Sequence, residues 1–154
     1  MELNYQVLVD EREISNKLSK FVRILDKRQW DGLGEMFSEN VVFDYAEGVE
    51  RQGLSEMRNR ISSFLANCGP THHLLGSLII EVDGDTATSR AYIQSRHNGL
   101  GERSNLYFDA NGEYVDQWER QETGWIIVKR LAINMFQQGD FGALGSSQTL
   151  STSK

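Results

Sequence analysis

The sequence predicts an α+β fold, in which helices come first along the chain and an antiparallel sheet follows. Two observations support this prediction. Apolar residues recur at helical spacing as far as Gly69-Pro70. Beyond that point the pattern changes to four β-type runs separated by turn residues. The 154 residues suffice for one domain with a buried core and a small-molecule cavity.

The first part of the chain is expected to hold two helices and a shorter one between them. One apolar face predicts a first helix over residues 8–28, and it consists of Ile14, Leu18, Phe21, Val22 and Leu25. Residues 29–40 predict a short helix weakened by its glycines, followed by a short strand at residues 41–45. Helical spacing returns over residues 53–69, where Gly69-Pro70 ends the helix.

The second part of the chain predicts four strands. They cover residues 72–82, 86–97, 112–122 and 124–136, with turns at "DGD", "DANG" and "ETG". The link at residues 98–112 is either a long hairpin loop over a cavity or partly strand. The domain is expected to end at residue 138, and residues 139–154 to form a flexible tail outside the core. Its apolar residues Phe141 and Leu144 could still close over a pocket.

Charge and composition exclude several classes of function. A net charge of -6 argues against nonspecific nucleic-acid binding, and no apolar stretch is long enough to span a membrane. The acidic N-terminus lacks the pattern of a secretory signal, so we expect a cytoplasmic protein. The single cysteine, Cys68, excludes an internal disulfide and a cysteine-based metal site. Three histidines without metal-ligand spacing predict no metal.

A pair of adjacent histidines and one misplaced carboxylate are the candidates for chemistry. His72 and His73 begin a strand, so their side chains point to opposite faces and only one can enter a given cavity. Asp26 borders the apolar face near the end of the first helix, where the helix dipole disfavours an anion. His97 precedes Asn98-Gly99 and is interpreted as a turn residue.

Three segments carry a family resemblance: "LDKRQWDGLGEMFSENVVFDY", "THHLLGS" and "GWIIVKR". Over residues 8–138 the chain resembles the SnoaL-like branch of the nuclear transport factor 2-like superfamily. That branch includes hexachlorocyclohexane dehydrochlorinases, scytalone dehydratases and bile-acid 7α-dehydratases. The resemblance implies a cone-shaped α+β barrel, with N-terminal helices packed on a curved, mostly antiparallel sheet and a pocket at one end.

The resemblance also implies a set of site residues. Asp26 and His73 match the aspartate and histidine that form the catalytic pair of these lyases. Tyr45 and Arg130 match a pocket tyrosine and a pocket arginine of family members, and Tyr114 matches a substrate-binding asparagine. Tyr92 is the nearest candidate for a second histidine. The chain departs from the family at Phe21, which replaces a pocket lysine, and at Leu25, which replaces a tyrosine.

The function implied is that of a cofactor-independent lyase, a dehydratase or related elimination catalyst, acting on a hydrophobic alicyclic or aromatic small molecule. In it, His73 is the general base and Asp26 fixes its tautomer. One alternative is an isomerase or cyclase of the ketosteroid isomerase or polyketide cyclase kind, with Asp116 as the base. Another is a noncatalytic binding module. Because the predicted strands are apolar on both faces, a homodimer or homotrimer through the sheet is expected.

Overall fold

The computed structural model of the chain describes residues 4–145, in which two helices pack on a six-stranded sheet. The helices are α1 (Tyr5–Lys27) and α2 (Leu54–Leu65). The strands are β1 (Phe37–Tyr45), β2 (Arg51–Gln52), β3 (Thr71–Asp83), β4 (Thr86–Asn98), β5 (Tyr107–Gln121) and β6 (Gly124–Gly139). This confirms the α+β class and the curved, mostly antiparallel sheet. The sheet is not closed into a complete barrel, since β2 and β3 form its two edges.

Helix α1 forms because its apolar residues lie on one face and its first turn is capped. The side chain of Asn4 accepts a hydrogen bond from the backbone N–H of Gln6, which satisfies one free donor of the first turn. The predicted apolar face, from Ile14 to Leu25, is buried against the sheet. Packing of α1 along β3 therefore brings the end of this helix to the start of that strand.

The short helix expected at residues 29–40 is only partly present. A single 3-10 segment covers Trp30–Glu35, and the chain is already extended from Phe37 onward. Gly32 and Gly34 lower the helix propensity of this segment, while the buried β1 residues Phe37, Val41 and Phe43 favour a strand.

The sheet has the strand order β2-β1-β6-β5-β4-β3. Strands β3 to β6 are successive antiparallel neighbours, and β1 runs parallel to β6. The link at residues 98–112 is partly strand, because β5 begins at Tyr107. The predicted "DANG" turn is wrong: its four residues continue β5, and the shift in register beside Asn111 and Gly112 leaves Met135 of β6 as the extra residue of a bulge. A side chain at Gly112 would collide with the carbonyl of Ile133, so the close approach of β6 requires glycine there.

The expectation that the chain leaves the core at residue 139 is wrong for the residues that the structure describes. A 3-10 segment at Phe141–Leu144 follows β6, and Ala143 and Leu144 are fully buried within the core. Arg103 holds this segment by donating to the carbonyl of Gly142 at 3.0 Å. Residues 146–154 of the predicted tail lie outside the described residues. Between residues 4 and 145, no helix is long and apolar enough to cross a membrane.

Candidate functional site

His73 and Asp26 form a close pair at the junction of β3 and α1. His73 Nδ1 lies 2.6 Å from Asp26 Oδ1, and the backbone N–H of His73 donates to Asp26 Oδ2 at 3.1 Å. The His73 ring is almost fully buried, whereas the neighbouring His72 is exposed on the other face of the sheet. The alternation of side chains along β3 thus selects one histidine of the adjacent pair, as the sequence predicts.

The surroundings of Asp26 favour its ionised form. Burial opposes the charge of its carboxyl group, but hydrogen bonds from the His73 side chain and backbone and from Thr71 outweigh this effect. They hold the pKa of Asp26 below its ordinary value. An ionised carboxylate only accepts hydrogen bonds, so His73 Nδ1 carries the hydrogen that it donates to Asp26. Whenever the ring carries a single hydrogen, Nε2 is left with a free lone pair.

A second histidine belongs to this site, and the interpretation of His97 as a turn residue is wrong. His97 lies within β4 with its ring buried, edge-on to His73 at a centroid distance of 5.4 Å. Its Nδ1 donates to the carbonyl oxygen of Phe108 at 3.0 Å. Burial lowers the pKa of His97 from 6.5 to about 4, so the ring is neutral near pH 7.

The alternation along β4 is the signal that could have revealed His97. Charged Arg90 and Arg96 mark the even-numbered positions as the exposed face, which places His97 on the inner face with Ala91 and Ser95. The same alternation corrects the expectation for Tyr92. Its side chain lies on the outer face and is 52% exposed, so Tyr92 does not line the site.

Arg130, Tyr45 and Tyr114 are brought together in a second buried cluster, which also contains Asp116. Arg130 Nε and Nη2 each donate to Asp116 at 2.7 Å, and the guanidinium lies over the rings of Phe21 and Tyr114, 4.4 and 4.3 Å from their centroids. Burial opposes the charge of Arg130, but the carboxylate of Asp116 raises the pKa of Arg130 above its ordinary value.

The Arg130 cluster leaves two polar groups without partners among the described residues. These are Nη1 of Arg130 and the hydroxyl of Tyr45. Burial raises the pKa of Tyr45 and of Tyr114, so both hydroxyls remain protonated. Two donors of the cluster therefore have no hydrogen-bond acceptor among the described residues, within aromatic surroundings. Helix α1 connects this cluster to the His73–Asp26 pair, hereafter the dyad, because α1 carries both Phe21 and Asp26.

Comparison with known proteins decides the family. The model of the SnoaL-like domain matches residues 6–131. The chain belongs to the SnoaL-like domain family. A relative of this SnoaL-like protein, an uncharacterized protein of Mycobacterium tuberculosis, is 28% identical over 138 residues, which cover 88% of this chain and 92% of the relative.

Solved structures of low sequence identity share the fold of this chain. A scytalone dehydratase candidate from Novosphingobium aromaticivorans superposes with a TM-score of 0.79 at 19% identity, covering 88% of this chain and 91% of that one. A hexachlorocyclohexane dehydrochlorinase of type 2 superposes with a TM-score of 0.75 at 15% identity, covering 89% and 93%. These likenesses confirm the fold.

Proposed function

We propose that the protein is a cofactor-independent lyase that removes water or another leaving group from a hydrophobic alicyclic or aromatic small molecule. The observation that carries this proposal is the short contact between His73 Nδ1 and Asp26 Oδ1, 2.6 Å, at a nearly buried histidine. Enzymes that fix an imidazole in this way use its other nitrogen as a general base. The structural likeness to a scytalone dehydratase candidate and to a dehydrochlorinase supports the same class of reaction.

In the proposed reaction, His73 Nε2 takes a proton from a carbon atom of the substrate. The electron pair of the broken C–H bond forms a carbon–carbon double bond, and the leaving group departs from the adjacent carbon with its own bonding pair. Asp26 stabilises the imidazolium that forms. The imidazolium then returns its proton to the leaving group or to water, which restores the neutral base.

The Arg130 cluster is proposed to hold the polar part of the substrate. Arg130 Nη1 and the hydroxyl of Tyr45 are hydrogen-bond donors without partners among the described residues, and they can stabilise negative charge as it develops. Tyr114, whose ring lies beside both groups, is proposed to contact the substrate there. The rings of Phe21, Phe37 and Tyr114 around the guanidinium suit an apolar ring system. The substrate therefore combines an apolar ring with an acceptor oxygen or halogen.

Asp116 is a poor candidate for the base of an isomerase or cyclase. Both of its carboxylate oxygens accept hydrogen bonds from Arg130, and its side chain is fully buried. Abstraction of a proton by Asp116 would disrupt this ion pair at a high cost in free energy. Nε2 of His73 has no hydrogen-bond partner among residues 4–145, which favours the elimination mechanism.

The proposal is tested by screening eliminable alcohols and halides for loss of water or hydrogen halide by mass spectrometry. On a substrate found in this way, His73→Ala should lower turnover by about 100- to 10,000-fold, because that is what a general base contributes. Asp26→Asn should be nearly as harmful, since it favours the wrong tautomer. His72→Ala is the matched control and should keep near-normal turnover. A fully active His73→Ala variant would refute the mechanism.

We also propose that the protein is a homodimer or homotrimer that associates through the outer face of the sheet. This face exposes Leu74, Leu131 and Ile133. It also carries two ion pairs, Arg90 with Glu113 and Arg96 with Asp109, each with both nitrogen-to-oxygen distances below 3 Å. Apolar residues beside internally neutralised charges are typical of a surface that a second subunit covers.

A further inference from the structure

We propose that Arg28, acting through Thr71, is a positioning residue for the His73–Asp26 dyad. The contacts show that Arg28 directs the hydroxyl of Thr71 toward Asp26 and thereby keeps this carboxylate an acceptor for His73. The inference rests on the proposed function for its catalytic consequence, while its structural part can be tested without a substrate.

Arg28 joins the end of α1 to the start of β3. Its Nη1 donates to the carbonyl of Leu25 at 2.8 Å and to Thr71 Oγ1 at 2.7 Å. Its Nη2 donates to the carbonyl of Gly69 at 2.9 Å and lies 3.3 Å from Cys68 Sγ. The guanidinium therefore contacts the helix, the loop before β3 and the first residue of the strand that carries His73.

The backbone of Arg28 supports a role for its side chain. Arg28 ends α1 in the left-handed conformation, with φ 58°. Glycine adopts this conformation without steric cost and is the residue most often found at such a helix end. An arginine at this position is explained by what its side chain does, because the backbone geometry alone would favour glycine.

Donor and acceptor chemistry fixes the direction of the hydrogens in this network. A guanidinium can only donate, so Thr71 Oγ1 must accept from Arg28. The hydroxyl has a single hydrogen, which is then available to Asp26 Oδ1 at 2.9 Å. Asp26 thus accepts from the hydroxyl of Thr71, from His73 Nδ1 and from the His73 backbone. With three donors directed at it, the carboxylate stays ionised and Nε2 of His73 stays free.

The decisive variants differ by one hydroxyl group. Thr71→Val keeps the shape of the side chain and removes the hydroxyl, whereas Thr71→Ser keeps the hydroxyl and is the matched control. The readout is the titration of the Asp26 carboxyl carbon, followed by ¹³C NMR. We expect the midpoint of the Asp26 titration to be about one pH unit higher in the Val variant than in the wild type. This difference corresponds to the free energy of one hydrogen bond to a charged group. In the Ser variant, Asp26 should titrate at the same pH as in the wild type.

Arg28→Met tests whether Arg28 acts through Thr71. Alone, it should raise the Asp26 midpoint in the same direction as Thr71→Val, because the Thr71 hydroxyl becomes free to turn away. Combined with Thr71→Val, it should add nothing further. Among the groups around Asp26, His73 contacts it directly, His97 packs against the ring of His73, and Cys68 lies beside Arg28. Arg23 and Lys27 on α1 and His72 on β3 are the charged or titratable neighbours in sequence, and all six groups are present in every variant. If Arg28→Met does not fold, the Thr71 pair still decides the hydroxyl's part in the network.

Turnover separates this inference from the proposed function. On a confirmed substrate, Thr71→Val should lower kcat about tenfold with little change in KM, and Thr71→Ser should restore it. A shifted Asp26 titration with unchanged turnover would refute the contribution of Thr71 and Arg28 to catalysis, whereas the catalytic role of the His73–Asp26 pair itself is tested by His73→Ala. An unshifted Asp26 titration in Thr71→Val, or additive shifts in the double variant, would overturn the positioning role itself.

Discussion

Replacing His97 by phenylalanine should make the stability of the protein less sensitive to acid. The ring of His97 is 2% exposed and is surrounded by the rings of Phe64, His73 and Phe108. Burial lowers the pKa of His97 from 6.5 to about 4. The unfolded chain therefore binds a proton at a higher pH than the folded protein does. Lowering the pH through this interval favours unfolding.

The size of the effect follows from the two pKa values. A difference of about 2.5 between 6.5 and 4 corresponds to about 3 kcal/mol, at about 1.4 kcal/mol for each pKa unit. This contribution to the free energy of unfolding is fully present above pH 6.5, the pKa of the unfolded chain. It is lost as the pH falls through about 4, the pKa of His97 in the folded protein. His97→Phe removes it. The hydrogen bond to the Phe108 carbonyl is also lost, but that change lowers stability equally at every pH in this range.

The assay is equilibrium unfolding in urea at pH 7 and at pH 4.5, at one fixed protein concentration. Between these two conditions the wild type should lose about 2 kcal/mol more free energy of unfolding than His97→Phe. His72→Phe is the matched control, because this ring is exposed, and it should follow the wild type. If wild type and His97→Phe lose the same free energy to within about 0.5 kcal/mol, the burial argument for His97 is refuted.

Three further predictions concern stability and assembly. Asp10 accepts hydrogen bonds from Arg120 and Trp125. Asp10→Ala should therefore lower the free energy of unfolding, measured by urea titration at pH 7, by about 2 kcal/mol. An unchanged free energy of unfolding would contradict the importance of these hydrogen bonds. Leu144→Ala should lower the free energy of unfolding by about 3 kcal/mol, because Leu144 is fully buried. Leu100 is exposed, so Leu100→Ala should lower it little. Equal effects of the two substitutions would place the C-terminal segment outside the core. Light scattering at micromolar concentration should give the mass of a dimer or trimer for the wild type. The Leu131→Glu variant, which places a charge on the proposed contact surface, should give a lower mass. A monomeric wild type would contradict association through the sheet.

The fold class and the dyad could be predicted from the sequence because both depend on local patterns. The apolar face of α1 and the alternation along β3 are visible in a short window, and they place Asp26 and His73 on the surfaces that meet. The pairing of these two residues across the fold required the family resemblance. Nothing in the sequence near Asp26 specifies a partner at the start of β3.

The features that local sequence patterns do not predict depend on long-range contacts. His97 precedes two turn-like residues, yet β4 continues through it because β5 pairs with it along its whole length. The "DANG" segment has the composition of a turn, but pairing with both neighbouring strands keeps it extended within β5. Leu144 looks like part of a polar tail, and only the packing of the Phe141–Leu144 segment shows that it belongs to the core. Local propensity is overridden in each case by tertiary structure.

The strand order also bears on when the chain assembles the proposed catalytic pair during folding. Strands β3 to β6 pair with their neighbours in sequence, so each loop that must close is short. In contrast, β1 reaches β6 across most of the chain, with Val42 opposite Lys129, and such distant contacts form slowly. Asp26 reaches His73 only after the N-terminal part has docked on the sheet. We therefore expect catalytic competence to be the last property that a refolding chain regains, after most of its β-structure has formed.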